Sequence, residues 1–227
     1  MADTVITVQG EYSAWYPAER ATARVSVNFN GPKREPVFAA AVEASTTVRG
    51  LIEQKFDRSA GPITWWSSDA IRVSSHRPWN NEGKQLPPVY TSAIDFSVKF
   101  KDFAELARWV ETVAEISGVT VNSISWDLTE ATKTSATVEV RSRAVKDAVA
   151  KASVFAQSIG LANVTAIALA DPGMLGDQSN AGTAAMAGGS MRGAAMKSYD
   201  TSGGASLELK PEDISVTSAV DARFIAS

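Results

Sequence analysis

His76 is the one imidazole in the chain, set in Ser74-Ser75-His76-Arg77-Pro78-Trp79. As a general base it would need a positioned nucleophile or water and a third group to orient the ring. As a metal ligand it would need companions. The chain has no second histidine and no cysteine, and no carboxylates stand at ligand spacing around His76. The expectation is a solvated hairpin-loop residue without a catalytic or metal-binding role. The absence of cysteine also removes disulfides, thiolate metal sites and cysteine nucleophiles. No Gly-x-Ser-x-Gly elbow, metalloprotease histidine pair or dinucleotide fingerprint occurs. The glycines around Gly188-Gly189 lack the following lysine and Ser/Thr of a phosphate loop. No catalytic residue, cofactor or metal site is assigned on this basis. An enzyme would require a carboxylate or serine site assembled only by the fold.

The aromatic residues offer more. Trp65-Trp66 and Trp79 fall around the same hairpin as His76. Adjacent residues on a strand face opposite sides, so only one of Trp65 and Trp66 can enter a core. The other needs a neighbouring helix or another subunit, because tryptophan is enriched at interfaces. Trp65, Trp66, His76 and Trp79 are therefore the candidate interaction surface, for assembly or for stacking on a ligand, with local packing as the simpler alternative. Met186, Met191 and Met196 recur every five residues. Thioethers can bind Cu(I) or offer an adaptable apolar contact, but low-complexity drift is the simpler account.

These residues must be held by regular elements, and the periodicity places them. Ala21, Ala23, Val25, Val27 and Phe29 alternate with Thr22, Arg24, Ser26, Asn28 and Asn30, which reads as a half-buried strand. A helix follows from about Pro36, with Phe38, Ala41, Val42, Ser45, Val48 and Ile52 on its apolar face. A second strand is expected from Ile63 to about Val73, then a polar loop over 74–88, then a returning strand through Ile94, Phe96, Val98 and Phe100. A short helix begins after Asp102, its expected N-cap, with Glu105 as capping-box partner and Phe103, Leu106, Val110 and Val113 inward. Gly118 closes it, and Val119 opens another strand. The order βαββαβ implies an α+β fold: an antiparallel split-βαβ sheet with helices on one face. A long helix over about 130–159 carries Val138, Val145, Ala152 and Ile159 at heptad spacing, with Ala148 and Phe155 between them. Its Arg141, Arg143, Lys146 and Lys151 read as a solvated face, with a subunit contact through the apolar stripe as the alternative. Two further strands are expected over Val164–Ala170 and from Ile214 to Phe224. Between them, 176–204 is rich in Gly, Ala, Ser, Thr and Met without any period, and a flexible insertion is expected.

At 227 residues, 44% hydrophobic and 21% charged, the chain can bury a sizeable core. A formal net charge of -3 gives no basic footprint, so nucleic acid is not an expected partner. No apolar run approaches the length of a membrane span, and Met1-Ala2-Asp3-Thr4 leads straight into Val5-Ile6-Thr7-Val8 without the pattern of a signal peptide. A cytoplasmic location is the resulting expectation.

Three stretches carry a family resemblance. They are Ile6-Thr7-Val8-Gln9-Gly10-Glu11; Ala144-Val145-Lys146-Asp147-Ala148-Val149-Ala150-Lys151-Ala152 with Ala156 and Ile159-Gly160-Leu161; and Pro211-Glu212-Asp213-Ile214-Ser215-Val216-Thr217-Ser218-Ala219-Val220. In this order and spacing the chain resembles the SIMPL family across nearly its whole length. That family includes a bacterial periplasmic immunogenic antigen and a mammalian adaptor of a Pelle-like kinase. The resemblance implies one α+β domain over 1–227, self-assembly into ring- or channel-like oligomers, and no established enzymatic activity. Many bacterial members carry export signals, a pattern not seen here. The expected function is a non-enzymatic subunit of a homo-oligomer with a scaffolding role. The alternative is a small-molecule or peptide-binding module that uses the aromatic hairpin.

Overall fold

The computed structural model describes residues 4–79, 85–175 and 209–227. The expected insertion at 176–204, with Met186, Met191 and Met196, lies outside the described residues. In chain order the elements are β1 (Thr4–Tyr16), β2 (Arg20–Gly31), α1 (Arg34–Glu53), β3 (Ile63–Ser68), β4 (Arg72–His76) and β5 (Val89–Phe100). They continue with α2 (Phe103–Ala114), β6 (Val119–Asp127), α3 (Glu130–Ser158), β7 (Val164–Ala170) and β8 (Ile214–Ala226). The chain divides into two compact units, one of residues 16–130 with 206–214 and one of 1–15, 131–205 and 215–227.

The first unit follows the βαββαβ order with the expected second strand split into β3 and β4, giving a five-stranded sheet, β3-β5-β2-β6, with β4 also paired to β5. Every one of these pairings is antiparallel. Alternation along β2 and β5 sends Ala21, Ala23, Val25 and Val27, and Ile94, Phe96, Val98 and Phe100, to one face, where both helices cover them. Fully burying an aromatic or large aliphatic side chain of this kind contributes about 1.5–3 kcal/mol. The strand expected as continuous to Val73 is broken at Asp69-Ala70-Ile71, where Asp69 N–H bonds to the Asp95 carbonyl at 2.9 Å. β4 then runs to His76, so that residue sits at a strand end and not within a loop.

Both helices of this unit correct the expected faces. On α1 the buried residues are Val37, Ala41, Ala44, Ser45, Val48 and Ile52, while Phe38 and Val42 are exposed. The run Val37–Val42 is apolar throughout, so periodicity cannot choose among its members. The side chains at the sheet contact are mostly small, and the buried Ser45 hydroxyl is satisfied by the Ala41 carbonyl at 2.5 Å. On α2, Trp109 is fully buried beside Phe100, ring centroids 5.4 Å apart, together with Leu106, Val110 and Val113. Phe103 is only partly buried and meets Trp126 edge-on at 5.0 Å. Asp102 caps the helix as expected, accepting from Ala104 N–H and Glu105 N–H, each at 3.0 Å. Glu105 does not serve as a capping-box partner. Its carboxylate pairs with Lys55 at 2.5 Å and with Arg108. The Lys55 hydrogen bond, with the nearby positive charges, holds Glu105 below the usual carboxylate range. Gly118 adopts φ +75°, and a Cβ there would lie 2.5 Å from the Phe29 ring.

The second unit is a three-stranded sheet, β1-β8-β7, packed on α3. Gln9 bonds to Asp221 and Ser13 to Thr217, so four residues forward on β1 are four back on β8 and the two run antiparallel. Of the stripe expected on α3, Ala148 and Ala152 are buried and the large residues are not. The buried residues are Ala136, Val140, Ala144, Ala148, Ala152 and Ala156, a strict spacing of four, while Val138, Phe155 and Ile159 are exposed. Alanine wins the contact face because it lets the helix backbone approach the sheet, and Gly10 completes that approach from β1. A Cβ on Gly10 would overlap the Ala144 carbonyl oxygen and lie 2.6 Å from the Ala148 nitrogen. Gly160, at φ +80°, ends the helix as expected. No helix among the described residues is long and apolar enough to cross a membrane.

Candidate functional site on the open sheet face

The four residues of the candidate surface are separated by the register. Trp66 pairs with Val98 and packs against the core. Trp65 pairs with Lys99 on the opposite face, is 44% exposed, and has the Lys99 ammonium 6.0 Å from its ring centroid. His76 pairs with Val89. Ten residue steps along β5 separate Val89 from Lys99, roughly 33 Å at about 3.3 Å per residue. His76 and the 88% exposed Trp79 therefore belong to the other end of the sheet from Trp65. Sequence proximity suggested one cluster; β3 and β4 are instead successive stretches laid along the same partner strand.

What the register does bring together is the polar face of the five-stranded sheet. Arg24 lies opposite Ser97 on β5 and Ser123 on β6. Between Arg24 and Val25 the β2–β6 register shifts, and this bulge turns both Asn122 and Ser123 out to solvent. Asn122 exchanges hydrogen bonds with Ser26 at 3.1–3.3 Å. A depression of about 420 Å³ results, lined by Arg24, Asp69, Asp95, Ser97, Asn122 and Ser123. Arg72 bridges its two carboxylates, at 2.5 Å from Asp95 and 3.4 Å from Asp69. The hydrogen bond to Asp95 raises the Arg72 pKa further above its ordinary value. The alternating pattern of β2 and β5 marked Arg24, Asp95 and Ser97 as outward-facing. Their grouping depends on a bulge and a cross-strand register that no single strand encodes.

The sheet edges differ from one another. At β1 the Glu11 N–H donates to Asp147 at 2.8 Å, and Lys151 donates to the Gln9 carbonyl at 3.0 Å. Asp147 and Lys151 pair at 2.7 Å, and the Lys151 hydrogen bond followed by that of Glu11 lowers the Asp147 pKa. Arg143 stacks on Tyr12, 5.0 Å from the ring centroid, and donates to its hydroxyl at 3.0 Å. Helix α3 thus occupies this edge with its own side chains, and the cationic face expected to be solvated is partly spent there. β7, at the other margin, pairs only with β8 among the described residues. An apolar hollow of about 320 Å³ lies at Phe29, Pro32, Pro36, Val37 and Ala40. Phe29 pairs with Ser92, seven residues along β5 from the partner of Trp65, so Trp65 does not line this hollow.

No curated protein matches the chain. Residues 6–224 match SIMPL, described as a protein of unknown function (DUF541). The match takes in both sheets and all three helices of the described residues, and the three stretches that carried the resemblance become β1, α3 with its terminus, and the approach to β8 with most of that strand. This chain belongs to the SIMPL family.

Proposed function

We propose that the chain is a non-enzymatic subunit of a homo-oligomeric assembly with a scaffolding role. The observation that carries this reading is the β7 edge. Val164-Thr165-Ala166-Ile167-Ala168-Leu169-Ala170 contains neither a charge nor a proline, and Ile167 and Leu169 are 49% and 52% exposed. An uncharged apolar edge is a template for pairing with another strand, and proteins that stay monomeric block such edges with charges, proline or bulges; β7 carries only a register irregularity at Ile167. β1 is blocked in that way by Asp147 and Lys151, which makes the contrast within one sheet informative. A two-fold β7–β7 pairing closes as a dimer. A ring needs a second contact, for which the exposed Val154 and Phe155 of α3 and Ile159 just past its end are available.

Mass measurement in solution at micromolar concentration tests the proposal. A multiple of 24.0 kDa is expected, reduced by Ile167→Lys with the fold intact. A strictly monomeric wild-type protein would sink it.

A further inference from the structure

We propose that the open face of the five-stranded sheet binds an uncharged oligosaccharide, with Trp65 as stacking platform and Arg24, Asp95, Ser97, Asn122 and Ser123 as the polar reader. The depression contains two carboxylates, Asp69 and Asp95. They are matched by the guanidinium of Arg24 in its lining and that of Arg72, which is bonded to both carboxylates. The charge of the depression therefore sums to zero and Lys99 beside Trp65 adds a single positive charge, which gives a phosphate or a nucleic-acid strand little electrostatic reason to prefer this face. What it offers is a dense alternation of donors and acceptors: a planar guanidinium, a carboxylate, an amide and two hydroxyls. A sugar hydroxyl both donates and accepts, so a polyhydroxyl ligand can satisfy such a set while an apolar or singly charged ligand cannot.

Arg24 is exposed, and no side chain or backbone group among the described residues bonds to its guanidinium. Asp95 is fixed by Arg72 at 2.5 Å and presents a pre-positioned carboxylate at little further entropic cost. On the same face, Ser67 lies opposite Ser97, and Trp65 lies opposite Lys99 one step further along β5. Strand spacing and rise place the Trp65 and Arg24 backbones about 12 Å apart, the span of a short oligosaccharide. Tryptophan supplies an apolar ring face for the C–H side of a pyranose, and this one is half open. The Lys99 ammonium sits at the outer limit of cation–π contact and can swing aside.

The test is titration of the full-length chain with chitotetraose and with cellotetraose, followed by calorimetry and tryptophan fluorescence, alongside inorganic phosphate and ATP. Saturable binding of at least one oligosaccharide is expected, weakened about tenfold or more by Trp65→Ala and by Arg24→Ala. Raising the salt should leave it unchanged, because no net charge is neutralised. Both substituted residues are exposed, so the variants should keep the wild-type melting temperature, and Trp65→Phe should retain part of the affinity. Absence of saturation by either sugar up to about 10 mM overturns the proposal. So does salt-sensitive binding of phosphate or ATP in its place, or sugar binding that both alanine variants retain. A lower oligomeric mass for Trp65→Ala would also overturn it, by assigning this face to a subunit contact; loss of sugar binding at unchanged mass leaves the assembly proposal standing.

Discussion

Replacing Gly10 by alanine tests the packing of α3 on β1, and the sign of the effect is diagnostic. A glycine inside a strand ordinarily weakens it by about 0.5–1 kcal/mol relative to alanine, so an unconstrained Gly10→Ala would stabilise. Here the new methyl would overlap the Ala144 carbonyl oxygen and lie 2.6 Å from the Ala148 nitrogen and 2.8 Å from its Cβ. Two of the three neighbours are helix backbone and cannot turn aside as a flexible side chain would. Overpacking of a filled contact costs about 1–3 kcal/mol, with the upper part of the range expected against backbone. At roughly 2–4 °C per kcal/mol for a chain of this size, the midpoint should fall by about 2–12 °C. The assay is urea denaturation followed by far-UV circular dichroism, with a thermal scan beside it. Ala148→Gly provides the internal control, because it removes only the Cβ contact and costs about 1 kcal/mol in helix propensity. The double variant should therefore be no more stable than Gly10→Ala alone. A neutral or stabilised Gly10→Ala would refute the backbone contact, and full rescue by Ala148→Gly would show that side chains alone were in conflict.

Gly118→Ala should destabilise for two reasons, a φ of +75° and a Cβ 2.5 Å from the Phe29 ring, with a loss of about 1–3 kcal/mol measured by urea midpoint. Asp102→Ala removes the acceptor for two N–H groups at the start of α2 and should cost about 1 kcal/mol in the same assay. Glu105→Gln addresses pH. The Glu105 pKa is lowered in the fold from its ordinary 4.5, so its contribution is fully present above that value and is lost as pH falls through the lower folded pKa. The stability gap between wild type and Glu105→Gln should be constant near neutrality and close in acid, and a gap that persists at full protonation would refute the Lys55 pairing. Ser92 is fully buried, and its hydroxyl has no hydrogen-bond partner among the described residues. Ser92→Ala should therefore be neutral or stabilise by up to about 1 kcal/mol, and a clear loss would reveal a partner for that hydroxyl.

The first unit was legible where the chain alternates strictly. The β2 and β5 patterns announced their buried face and their polar outer face, and Asp102 announced the start of α2. Legibility failed where apolar residues run on without interruption. In Val37–Val42 any of several faces could be buried, and on α3 the large residues at heptad spacing point outward while alanines at spacing four point in. Large side chains are a poor guide when the contact demands backbone proximity, and the signal that could have revealed this was the unbroken Ala144, Ala148, Ala152, Ala156 series. The tryptophan cluster failed for another reason. Trp65 and His76 are close in sequence, but two short strands laid end to end along β5 carry them apart. The polar depression depends on a bulge in β6 and on pairing between segments a hundred residues apart, so it had no local signature.

Gln9 on β1 bonds to Asp221 on β8, 212 residues later, and this has a consequence for the order in which the protein can be made. A ribosome adding about 5–20 residues per second takes roughly 10–40 s between the two strands. Residues 16–130 supply nearly all of one unit and can close their sheet within that interval, with only the short 206–214 stretch still to come. β1 must wait, with that other unit already closed, until β8 is made. β1 precedes β2 in the chain yet finds its place after it, and over that wait its apolar residues Ile6 and Val8 are open to a chaperone.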